Sequence, residues 1–131
     1  MSFKRRKGLF ELLIKNVKII GENEITDGFV RTANGKITEV GKAARETENE
    51  EVIDGNGKYL SPGFIDLHVH GGGGYSAMGT PEDIVKMATA HMNYGTTSIL
   101  PTTLAAPIAQ LKTALLNIKE AKRICKTSNI L

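Results

Sequence analysis

The sequence predicts an α/β chain in two parts, an all-β part over residues 1–60 and a strand–helix alternation over 61–131. Three observations predict it. Asn34-Gly35 stands between two apolar-alternating runs, the strongest short hairpin signal a sequence offers. At Pro62-Gly63 the pattern changes from strand runs alone to strands separated by helix-period segments. Thr80-Pro81-Glu82-Asp83 then carries a helix start, with Thr80 as N-cap, Pro81 at the first position and acids in the first turn.

In order along the chain, Leu12–Ile20 has strand composition, and Gly28–Thr32 and Lys36–Val40 flank the Asn34-Gly35 turn. Arg45–Glu51 is a charged connector expected to be exposed. Val52–Asp54 and Lys58–Leu60 are short strands around the turn residues Gly55-Asn56-Gly57. Ser61-Pro62-Gly63-Phe64-Ile65-Asp66-Leu67-His68-Val69-His70 reads as a strand running into Gly71-Gly72-Gly73-Gly74. The helix after Thr80 is expected to bury Ile84, Met87, Ala88 and Met92, and Gly95 closes it. Thr96–Leu100 is a strand stopped by Pro101. A second helix from Pro107 is expected to bury Ile108, Leu111, Leu115, Ile118 and Cys125, and Asn129–Leu131 opens a third strand. The order β-α-β-α-β implies a parallel sheet.

Composition narrows the function classes. The 131 residues are 40% hydrophobic and 24% charged, which is globular composition. The net charge of +3 is mild, and Lys4-Arg5-Arg6-Lys7 supplies four of the seventeen basic residues, without interleaved aromatic residues. That run reads as a solvated tail, so no nucleic-acid partner is expected. Glu11 and Lys15 interrupt the apolar run Leu9–Ile14, which argues against a signal peptide, and no stretch approaches eighteen apolar residues. No membrane association is expected. The single cysteine, Cys125, forms no internal disulfide, and a reduced cytoplasm is the expected compartment.

The strand ending at His70 carries the chemistry. Side chains alternate on a strand, so Asp66, His68 and His70 share one face and Ile65, Leu67 and Val69 the other. Two imidazoles about 6.6 Å apart along one face converge on a single ion. The alternative is two ordinary histidines on a wet face. The apolar opposite face and the position at a strand's C-terminal end favour the metal, and Asp66 lies one step deeper, placed to orient a ligand imidazole. Catalytic zinc takes three protein ligands, and His91, beside the helix stripe, reads as a packing or surface residue. Gly71–Gly74 either lets a backbone approach a substrate, offers N–H groups to an anion, or is a flexible loop with positive φ.

Pro62–His70, with the four glycines after it, resembles the first barrel strand of the amidohydrolase superfamily. Leu12–Ile20 and Gly35–Gly41 resemble its N-terminal β-sandwich half. Within the superfamily, the glycine run and Tyr94-Gly95-Thr96-Thr97-Ser98-Ile99-Leu100-Pro101-Thr102-Thr103 resemble the N-acetylglucosamine-6-phosphate deacetylase family. The first motif is shared by dihydroorotases and hydantoinases, so the alternatives are another amidohydrolase of that kind or a non-catalytic metal-binding fragment. The resemblance implies the N-terminal part of a (β/α)₈ TIM barrel, namely two βα units and the start of strand three, over 61–131. Part of a small β-sandwich domain would precede it over 1–60. It implies a divalent metal, zinc or iron, held in part by His68 and His70, and an amino-sugar phosphate substrate in a cytoplasmic homodimer. A barrel of this kind takes about 250 residues. The implied third-strand glutamate ligand, later histidines and catalytic aspartate would follow Leu131. The chain is therefore expected to be an N-terminal fragment with no catalytic residue of its own, inactive and marginally stable alone.

Overall fold

The computed structural model describes residues 11–131; the basic run Lys4–Lys7 lies outside them. The chain divides into two compact units, one through Pro62 and one from Gly63.

The first unit is a five-stranded sheet. Strands β1 (Glu11–Ile20), β2 (Ile25–Ala33) and β3 (Lys36–Gly41) form an antiparallel meander. Asn34 (φ 53°) and Gly35 (φ 73°) are both left-handed, the geometry a two-residue hairpin needs to match strand twist. Strands β4 (Glu51–Asp54) and β5 (Tyr59–Leu60) do not pair with each other. Both run parallel to β1, with Leu12 opposite Glu51 and Ile19 opposite Leu60. Between them β1 bulges at Asn16 (φ 54°), whose amide donates to Asp54 Oδ2 at 2.8 Å. The Gly55 and Gly57 N–H groups donate to the carbonyls of Lys15 (2.8 Å) and Asn16 (2.7 Å). A side chain at 55 would stand 2.2 Å from Val17 Cγ1, so the turn there requires glycine.

The charged connector is exposed apart from Glu50, and Arg31 ties it down. The Arg31 guanidinium donates to the Glu50 carboxylate (2.8 Å), to the Arg45 carbonyl (2.7 Å) and to Glu39. Leu13, Val17, Phe29 and Val30 are buried in this unit.

The second unit is a three-stranded parallel sheet with two helices. Its strands are β6 (Phe64–Val69), β9 (Thr96–Pro101) and β10 (Asn129–Ile130), in the order β10-β9-β6. Between β6 and the helix α1 (Pro81–Met92) stands a small antiparallel hairpin, β7 (Gly71–Gly72) and β8 (Tyr75–Ser76). The helix α2 (Ile108–Ile124) joins β9 to β10. Thr80 caps α1 as the sequence predicts: its hydroxyl accepts from Asp83 N and the Asp83 carboxylate accepts from Thr80 N, both at 3.2 Å.

Val69, Ala77, Ile84, Met87, Ala88, Ile99, Ala121 and Ile130 form the core, with Val85, Ile118 and Cys125 packed against it. Two packing expectations, for Met92 and for the α2 stripe, are corrected. Met92 is half-buried rather than buried. On α2 the buried positions are Ala114 and Ala121, while Ile108 and Leu115 are exposed, because the helix makes its closest approach through its small residues. On β6 only Val69 enters the core, and Ile65 (63% exposed) and Leu67 (64%) do not, because no helix of this unit covers them.

Candidate metal centre

The candidate site lies at the C-terminal end of β6. Period-two alternation brings His68 and His70 to one face, and their rings meet edge to face with centroids 4.9 Å apart. The two Nε2 atoms are 3.1 Å apart, and both side chains are exposed. The second nitrogen of His70 is already committed: Nδ1 lies 2.8 Å from the carbonyl oxygen of Thr102, just past β9. A carbonyl only accepts, so Nδ1 carries the proton and Nε2 of the neutral ring presents its lone pair. His68 Nε2–H therefore donates to His70 Nε2. The Thr102 N–H in turn donates to Val69 O at 2.7 Å, which fixes the Thr102 peptide against the strand that carries both histidines.

This donor set fits two neighbouring positions around one ion. With zinc–nitrogen bonds of about 2.0–2.1 Å, tetrahedral ligand nitrogens stand about 3.3 Å apart, close to the separation seen here. A cation shared by both Nε2 atoms would replace a single bridging proton. Fixing the far nitrogen of a ligand imidazole by a carbonyl is the usual outer support of such sites. The set is also incomplete: among the described residues, no group of three or more His, Cys, Asp or Glu side chains is placed to hold a metal ion.

The Asp66 carboxylate accepts from the backbone N–H of His68 at 3.1 Å. It braces the main chain of the strand and is bonded to neither imidazole. Gly71–Gly74 is an ordered hairpin rather than a loose loop. Gly73 (φ 60°) and Gly74 (φ 85°) make its left-handed turn, and Ala77 N–H donates to His70 O at 2.8 Å to close it. His91 reaches this hairpin from α1, its Nε2 lying 3.1 Å from Gly71 O.

Sequence reading overlooked two of these groups. The Thr102 carbonyl is a backbone atom and leaves no side-chain signal. The His91 contact spans twenty residues and depends on the hairpin folding back. A cavity of about 470 Å³ in the first unit, lined by Lys15, Asn16, Asp27, Lys42 and Glu46 among others, contains no imidazole or thiol.

A crystal structure of N-acetylglucosamine-6-phosphate deacetylase from Pasteurella multocida superposes on 91% of this chain with a TM-score of 0.75 and 29% identity. The deacetylase of the same name from Bacillus subtilis (strain 168) is 35% identical over 114 residues, 85% of this chain. Over most of its own length this chain is similar to N-acetylglucosamine-6-phosphate deacetylases. It spans 29% of the Bacillus protein and 32% of the Pasteurella chain. A Bacillus subtilis dihydroorotase is 51% identical over 59 residues, 44% of this chain and 14% of that protein. No family model matches the chain.

Proposed function

We propose that His68 and His70 form the first-strand metal position of a metal-dependent amide hydrolase. On this reading the whole protein converts N-acetylglucosamine 6-phosphate to glucosamine 6-phosphate and acetate. The observation that carries the reading is the pair of Nε2 atoms 3.1 Å apart, with the Nδ1–H of His70 held by Thr102 O. The relative 35% identical over 85% of the chain supports the choice of substrate.

When bound, a divalent ion such as zinc or iron supplies Lewis-acid polarisation of the acetamide carbonyl and activation of water. His68 and His70 hold it through Nε2. Thr102 keeps His70 in the ligating tautomer, and Asp66 holds the His68 peptide so that both rings converge. Gly71–Gly74 lies next to the reacting centre as a substrate-side loop. On this reading the remaining ligands and the proton-transferring carboxylate come from outside these 131 residues, which span 29% of the Bacillus protein. Among the described residues no helix is long and apolar enough to cross a membrane.

The test is substrate profiling of the whole protein. Acetate release from N-acetylglucosamine 6-phosphate is expected, and hydrolysis of cyclic amides alone would overturn the assignment in favour of a dihydroorotase-like activity, the reading that the 51% identity over 59 residues favours. The 131-residue chain by itself is expected to release no acetate, because two imidazoles leave the ion without a third protein ligand.

A further inference from the structure

We infer that His91 is a positioning residue for the His68–His70 site, anchoring to α1 the peptide that follows His70. The inference rests on the metal reading above. His91 Nε2 lies 3.1 Å from Gly71 O, and since a carbonyl only accepts, Nε2 carries the proton. The ring also explains the glycine beside it: a Cβ at residue 72 would stand 2.4 Å from His91 Nε2 and 2.8 Å from Cδ2. One residue on, a Cβ at 73 would stand 2.6 Å from Ala90 Cβ. The glycines thus let the hairpin lie flat on the Ala90–His91 surface of α1, and close approach of backbone to helix is their role there.

That surface is rigidly backed. Ile84, Met87 and Ala88 of α1 are fully buried in the core. From this base the connection runs through His91 to the Gly71 carbonyl, through the hairpin to Ala77, and from Ala77 N–H to His70 O at 2.8 Å. The ring of His70 is set by Thr102 and its main chain by the hairpin that His91 holds. Both are needed for two exposed imidazoles to stay converged without an ion. Outer supports of metal ligands are worth about 10–100-fold in metal affinity, and His91, acting through one more peptide, belongs at the lower end.

Cobalt(II) titration of the chain, with amide hydrogen exchange, tests this. His91→Leu keeps a side chain of similar bulk without a donor, and His91→Gln keeps an N–H. His91→Leu is expected to weaken Co²⁺ binding about tenfold and to speed exchange of the Ala77 amide. His91→Gln is expected to restore both most of the way. Native Co²⁺ affinity in a folded His91→Leu variant would overturn the inference, as would a His91→Gln variant no better than His91→Leu. A measurement without any variant stands beside these: ring-nitrogen NMR of the native chain is expected to show His91 protonated on Nε2, and the Nδ1–H tautomer would overturn the inference outright. The two readings fail differently. Unchanged Co²⁺ affinity in both His68→Ala and His70→Ala removes the metal site itself and this inference with it. Lost affinity in those two beside native affinity in His91→Leu removes this inference alone.

Discussion

In the unit through Pro62, the buried apolar residues are Leu13, Val17, Phe29 and Val30, and much of the tying is polar: Arg31 to Glu50 and Glu39, Lys15 to Glu46, Asn16 to Asp54. In the unit from Gly63 the core runs from Val69 through both helices to Ile130, and its outstanding polar bonds are made at the end of β6. The first unit spends its charged groups on holding a connector. The second uses an apolar core to hold still the strand end where two imidazoles and a carbonyl meet. The difference teaches where chemistry can sit: convergent donors need a rigid backing, and here the core behind α1 and β9 supplies it.

The largest expected effect is on that backing. Ile84→Ala empties a fully buried position and should cost about 2–5 kcal/mol in urea unfolding. A loss below 1 kcal/mol would mean that the second unit does not depend on this core. Smaller is Thr80→Ala, which removes half of the capping box on α1. About 1 kcal/mol is expected, restored in large part by Thr80→Ser.

Arg31→Met probes the first unit through pH. Its hydrogen bond to Arg31 holds the Glu50 carboxyl below its ordinary 4.5, against the opposing effect of burial. A depressed carboxylate contributes stability that is present above its unfolded pKa and is lost as pH falls through the folded one. Arg31→Met should therefore lower the urea midpoint at neutral pH, with the gap to the native chain closing as the solution is acidified below 4.5. A gap independent of pH would assign the loss instead to the packing of the Arg31 guanidinium over the Phe29 ring, 5.6 Å from its centroid. The smallest effect is expected at Leu67, 64% exposed on β6: Leu67→Ser should stay within about 0.5 kcal/mol of the native chain. A loss like that of Ile84→Ala would show the apolar face of β6 to be covered in solution.

Local signals were legible before the structure. The Asn34-Gly35 turn, the Thr80-Pro81 cap and the shared face of His68 and His70 each depend on a few adjacent residues, and each appears where the sequence puts it. Contacts set by distant partners were not legible. The parallel pairing of β4 and β5 with β1 joins segments some forty residues apart, and nothing local distinguishes it from a hairpin. The buried face of α2 runs through Ala114 and Ala121, while large apolar residues at helical spacing point to Ile108 and Leu115. Asp66 was expected beside an imidazole and braces a backbone N–H, a difference of one hydrogen bond that the alternation of side chains does not encode. His91 reads in the sequence as a packing or surface residue, and its bond to the Gly71 carbonyl, a backbone atom, leaves no side-chain signal.

The central claim is that His68 and His70 jointly hold one cation through Nε2. Ring-nitrogen NMR during zinc titration tests it most directly. The account predicts that the Nε2 signals of both histidines shift together at one ion per chain, while the Nδ1–H of His70 stays in place against Thr102. Nε2 signals that do not move on saturation with zinc, or a His70 ring that gives up its Nδ1 proton to the metal, would contradict it.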